Sequence, residues 1–119
     1  MYEITPETRD RLVVMKAIGR LTATDYEIIR PRFEQLAAAA SGPLHVLLDW
    51  SELTGWNAEG ERDAFAMWAQ EWSDVERMAI VSGDKFIEDG LQIAKVLSKT
   101  TVRHFQLADA AEARAWLTV

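Results

Sequence analysis

Two short apolar runs constrain this chain most: LHVLLD at residues 44–49 and RMAIV at 77–81. Each is nearly continuous rather than alternating, the pattern of a strand buried on both faces of a parallel sheet. Parallel strands cannot be joined by a tight turn and need crossovers of about a dozen residues or more, usually helical. The segments around these runs supply such crossovers. Tyr26, Ile29, Phe33, Leu36 and Ala40 recur at spacings of three and four, laying one apolar stripe along a helix. Thr24 and Glu27 form a capping-box pattern at its start, Pro31 is expected to bend it, and Gly42 with Pro43 stops it.

The remaining elements follow the same logic. Asn57 is expected to cap a second helix, with Glu59 and Glu61 in its first turn, where the helix dipole favours negative charge, and Phe65, Trp68 and Trp72 on its buried stripe. Asp84 caps a third helix running to about Ser98, and Asp109 with Glu112 opens a short fourth that turns Ala113, Trp116 and Leu117 to the core. Tyr2–Thr5 and Arg11–Ile18 read as an antiparallel pair around a turn at Pro6 to Thr8, Thr101–Gln106 reads as the last strand, and WSELTGWN after the 44–49 strand reads as a turn-rich connection. The predicted order is ββαβαβαβα. It describes one α/β domain over residues 1–119: a mainly parallel five-stranded sheet with an antiparallel first strand and four helices.

Composition narrows the function. A single domain is expected of 119 residues, and the absence of cysteine from them excludes disulfides and thiolate chemistry there. Nineteen acidic against thirteen basic residues give a net charge of −6, which argues against nucleic acid or anionic lipid held by bulk electrostatics. No run reaches the roughly 18 apolar residues of a membrane span, and MYEITPETRDRL is too acidic for a secretory signal; a cytoplasmic protein with at most peripheral membrane contact is expected. No Walker loop or Gly-x-Gly-x-x-Gly pattern implies a cofactor. Glu59, Glu61 and Asp63 lack a histidine at ligand spacing and read as a solvated acidic face. Asp49 and Ser51 share the expected loop, but His45 lies at the other end of its strand and His104 within the last one, so no Ser-His-Asp triad is expected. The reading is therefore of a non-enzyme.

Four pieces carry a family resemblance: GRLTATDYE at 19–27 with Pro31 downstream, LLDWSELTGW at 47–56, ERMAIVSGD at 76–84, and the terminal VRHF and EARAWL. In this order they resemble the SpoIIAA-like proteins, small relatives of the STAS domains that share a fold with the CRAL-TRIO lipid carriers. The resemblance implies the same α/β architecture. It also implies a departure. STAS antagonists carry an Asp-Ser-Ser-Gly motif with a phosphorylated serine, where this chain has Asn57, Ala58, Glu59 and Gly60 and so no hydroxyl to phosphorylate.

Parallel sheets bind ligands outside the carboxyl ends of their strands, which selects Gly19, Arg20, Asp49, Trp50, Ser51, Thr54, Trp56, Ser82 and Asp84. The third helix adds a second signal. Phe86, Ile87, Leu91, Ile93, Ala94, Val96 and Leu97 cover more of its circumference than the ~100° stripe of a surface helix. Deep packing or a homodimer contact accounts for that width on one reading; on the other, the helix lids an apolar cavity or lies against a membrane, as the CRAL-TRIO resemblance implies. Of the five tryptophans, Trp68, Trp72 and Trp116 sit at core spacing, whereas Trp50 and Trp56 flank the expected loop. Trp50 also fits a core position; Trp56 is the better candidate for a pocket wall. The expected function is binding of a small apolar or lipid-like ligand under the third helix by Arg20, Asp49, Trp50, Trp56, Ser82, Asp84, Phe86, Ile87 and Leu91. The alternative is a STAS-like regulator docking a protein partner through Asn57, Glu59 and Glu61.

Overall fold

The structure, a computed structural model, describes residues 1–57, 65, 74–97 and 99–118. Five strands, β1 (Tyr2–Ile4), β2 (Leu12–Leu21), β3 (Leu44–Trp56), β4 (Val75–Val81) and β5 (Thr101–Phe105), form one sheet in the order β1-β2-β3-β4-β5. β1 is antiparallel to β2 and every other pair is parallel, as the sequence predicts. Three described helices flank it: α1 (Ala23–Ala39), α2 (Ile87–Val96) and α3 (Ala110–Leu117). The second predicted helix, with Glu59, Glu61, Trp68 and Trp72, lies outside the described residues apart from Phe65, which is helical and fully buried.

The sheet divides the core. Val13, Met15, Val46, Leu48, Met78 and Ile80 pack with Tyr26, Ile29 and Phe33 of α1, Ile93 of α2 and Phe65. On the other face Val14, Leu47, Ala79, Val81 and Phe105 pack with Ala113 and Leu117 of α3. β3 is buried on both faces from Leu44 to Leu48, the environment its continuous apolar run requires.

Helix boundaries differ from expectation in instructive ways. The capping box of α1 is Thr22 with Asp25, not Thr24 with Glu27: Thr22 Oγ1 accepts from the Asp25 amide while Asp25 Oδ2 accepts from the Thr22 amide at 2.8 Å. Both pairs have capping-box spacing; β2 runs three residues past Ile18, and Thr22 is the first residue after it. Pro31 lies inside α1, as its place in the apolar stripe predicts. It lacks a donor for the carbonyl of Glu27, and both residues are on the exposed side, where water replaces the bond. α2 is shorter than the predicted third helix; a 3₁₀ turn, Asp84–Phe86, precedes it. No helix among the described residues is long and apolar enough to cross a membrane.

The largest correction concerns residues 50–56. They are strand, not a turn-rich connection: β2 continues to Leu21 and pairs with β3 as far as Trp56. Trp50, Ser51 and Thr54 are therefore sheet residues, and Asp49 and Ser51 share no loop.

Candidate functional site

Two irregularities in β3 build the site at the carboxyl edge. While β2 advances from Lys16 to Ile18, β3 advances from Asp49 to Glu52; while β2 advances from Gly19 to Arg20, β3 advances from Leu53 to Gly55. β3 thus carries one extra residue at each point, and a bulge of this kind re-aims the side chains beyond it. Trp50, Leu53 and Trp56, three residues apart, all pack into the core on the α1–α2 side. The Ser51 amide donates to Asp49 Oδ1 at 2.9 Å at the first bulge. Gly55 supplies φ +145° at the second, a conformation that glycine adopts without a Cβ clash.

The side chains so aimed form a continuous aromatic cluster. Trp50 is 1% exposed and its indole N–H donates to the Tyr2 hydroxyl at 3.0 Å. Trp56 is half-buried, its N–H donating to the Tyr26 hydroxyl at 2.6 Å. Trp50, Trp56 and Phe86 stand edge to face, with centroids 5.7, 5.9 and 6.2 Å apart, the arrangement aromatic quadrupoles favour. Tyr2, Tyr26 and Phe65 form a second trio at 5.1–5.9 Å. Burial pushes the Tyr2 phenol well above its ordinary value of 10.0, and neighbouring Tyr26 adds to this, while the Trp50 hydrogen bond pulls the other way. The phenol is therefore neutral and able to accept from Trp50 throughout the physiological range.

The rim is polar. Lys85 places its ammonium 5.4 Å from the Phe86 centroid and donates to the Thr54 carbonyl at 3.4 Å. Arg20 donates through Nε to Asn57 Oδ1 at 2.9 Å and through Nη2 to the Trp56 carbonyl, tying the end of β3 to β2. Asn57 is exposed.

The expected ligand residues therefore separate. Trp50, Trp56 and Phe86 meet, with Arg20 holding the backbone of Trp56. Phe86, Ile93 and Leu97 are buried, Ile87 is half-buried, and Leu91 is 53% exposed on the outer side of α2; packing accounts for most of the wide apolar face. Asp49 does not join the cluster. It follows His45 and Leu47 on the α3 side, where its charge acts on Lys16 and Arg114. Asp84 is exposed and accepts from Gln106 Nε2 at 3.0 Å. Glu59 and Glu61 lie outside the described residues.

Ser82 has a partner that the sequence reading missed: its Oγ lies 2.8 Å from His104 Nε2 and 3.0 Å from the Gly83 carbonyl. Both bonds are satisfied when the hydroxyl donates to Gly83 and His104 Nε2–H donates to Ser82. Histidine in that tautomer is no base toward the serine, and Ser82 is 0% exposed. The register of β4 on β5, with Ile80 beside His104, is the signal that could have revealed it. His45 is also structural. Buried at the other edge, its Nδ1 bonds the Leu117 carbonyl, meeting the negative end of α3.

A depression of about 530 Å³ lies at the amino-terminal edge of β3 and β4, lined by Ala37, Ala40, Pro43, Val75, Glu76 and Lys99. It is remote from the aromatic cluster. Beneath α2 the space is filled: Gly90 lies against Ile80, and Ile93 is fully buried. Among the described residues no three His, Asp or Glu side chains gather as metal ligands do.

These features define an α/β domain with a mixed five-stranded sheet and an aromatic cluster at the carboxyl ends of its parallel strands. A family model for SpoIIAA-like proteins matches residues 12–118, and the chain belongs to the SpoIIAA-like family. Its structure is similar to that of an uncharacterized protein with a SpoIIAA-like fold from Shewanella loihica PV-4, with a TM-score of 0.72 and 25% identity, covering 98% of this chain and 92% of that one. No curated protein matches the chain.

Proposed function

We propose that this is a non-enzymatic domain that binds a small apolar or lipid-like molecule at the carboxyl edge, between Trp56 and α2, with α2 as a movable lid. One observation carries the reading: Trp56, the outermost ring of a buried aromatic cluster, is half-exposed beside a helix without a side-chain cap at its start. A ten-residue helix is shorter than those stable alone and depends on packing. Displacing it uncovers Phe86, Trp50 and Ile93. A ligand seated there re-covers that surface, offsetting exposure at about 25 cal/mol per Å². Lys85 is the cation placed to meet a polar head group.

Native mass spectrometry of the full chain with added lipid extract tests this. Wild-type protein is expected to carry lipid adducts that weaken in Trp56→Ala; a protein indifferent to lipid would overturn the proposal. The partner-docking reading rests on exposed Asn57, fixed by Arg20 at the position of the STAS switch motif. It predicts a protein partner lost in Asn57→Lys, with no lipid adduct.

A further inference from the structure

A second polar site stands on the opposite face of the sheet. Arg77 of β4 and Arg103 of β5 lie on the α3 side of neighbouring strands, Arg77 beside Thr101 and Ala79 beside Arg103. The Arg103 guanidinium carbon is 4.8 Å from the Phe105 centroid and 5.2 Å from that of Trp116, the two rings being 6.0 Å apart. Arg77 lies 5.5 Å from the same Trp116 ring and donates through Nη1 to the Trp116 carbonyl at 2.8 Å. Two arginines are thus drawn to one indole.

Their surroundings do not balance them. Among the described residues neither guanidinium has a carboxylate at ion-pair distance, whereas Arg30, Arg114 and Lys16 each have one. This occurs in a chain with six more acidic than basic residues. The negative end of α3 is met by His45, Arg77 and Thr118, which accounts for one Arg77 N–H. It leaves the rest of that group and all of Arg103 without a hydrogen-bond acceptor in the described structure. Each guanidinium is held against an aromatic ring, and Arg103 is exposed, so its N–H groups are open to a ligand. Guanidinium edges fixed in this way match tetrahedral oxyanions bidentately. We propose that Arg77 and Arg103, ordered on Trp116 and Phe105, bind a phosphate monoester. Phosphate has enough terminal oxygens to bridge two forks, and its negative charge relieves the repulsion between them. The group can belong to a soluble ester or to a lipid head group; the chemistry at the two arginines is the same.

Titration of the full chain with phenyl phosphate at constant ionic strength, followed by ¹⁵N NMR, tests this. Saturable shifts are expected at Arg103 Nε–Hε and the Trp116 indole N–H, with affinity falling about tenfold or more in Arg103→Gln, the scale of a lost charge-assisted pair. Arg103→Lys should recover only part, having the charge without the fork. Both substitutions are at an exposed position, and circular dichroism checks that each variant is folded. A parallel sedimentation assay compares phosphatidic acid with phosphatidylcholine vesicles. Phosphatidic acid retention that depends on Arg103 assigns the phosphate to lipid; phenyl phosphate binding without such retention assigns it to a soluble ester. No saturable shift, a shift reproduced by chloride, or an Arg103→Gln variant that binds as wild type would overturn the proposal.

Discussion

α2 and α3 are both short helices without a side-chain N-cap, and the contacts described for them differ in kind. α2 rests on the sheet through Phe86, Gly90, Ile93 and Leu97, and at its carboxyl end the Leu97 N–H donates to the Ala94 carbonyl. α3 is pinned by polar side chains: His45 to Leu117, Arg77 to Trp116, and Arg114 to Glu7 in the turn between β1 and β2. Apolar contacts are non-directional and can be re-formed by any apolar occupant; a buried hydrogen bond such as that of His45 to Leu117 cannot be exchanged without leaving a group unpaired. On the proposed function, α2 is the element that yields to a ligand and α3 the fixed support.

Four substitutions probe this contrast, from the largest expected effect to the smallest. Trp50→Ala removes the buried ring on which Trp56 and Phe86 stand and the donor to Tyr2, and urea unfolding should show a loss of about 3–5 kcal/mol. His45→Ala leaves the buried Leu117 carbonyl unpaired and should cost about 1–3 kcal/mol, with hydrogen exchange quickened chiefly in α3; equal quickening in both helices would erase the distinction. Gly90→Ala acts in the other direction. A Cβ there meets Ile80 at 3.4 Å, an ordinary contact, so α2 should gain about 0.5–1 kcal/mol of local stability and ligand uptake should slow.

The smallest effect concerns Glu7. The hydrogen bonds from Arg114 hold its carboxyl below the ordinary 4.5, against the opposing effect of burial, with the Arg114 and Arg9 charges adding to the lowering. A folded-state pKa below the unfolded one contributes stability above the unfolded value, and that contribution fades as pH falls through the folded value. Glu7→Gln should therefore cost less than about 1 kcal/mol at neutral pH, since exposed ion pairs are weak, and nothing once the wild-type carboxylate is protonated. Paired denaturation curves from pH 7 downward should converge.

Much of the fold was legible because its signals are local. The unbroken apolar runs at 44–49 and 77–81 marked the buried parallel strands, and the spacing of Tyr26, Ile29 and Phe33 marked α1 with its buried face. The site was less legible because its geometry depends on pairing between strands. Tryptophans at 50 and 56 with Leu53 between them have no strand period of two; only the two bulges against β2 bring all three to one face. Ser82 and His104 meet through the register of β4 on β5, and Asp49 turns away because it is one residue from Trp50. Arg77 and Arg103, 26 positions apart in sequence, become neighbours for the same reason.

The central claim is that α2 yields at the carboxyl edge to admit an apolar ligand beside Trp56. Native-state hydrogen exchange of the full chain, with and without a medium-chain fatty acid, tests it directly. The account predicts that amides of 87–97 exchange faster than those of β3 and α3 in the free protein, and that the ligand slows them selectively in wild type but not in Trp56→Ala. Protection of α2 equal to that of the sheet and unchanged by the ligand would contradict it.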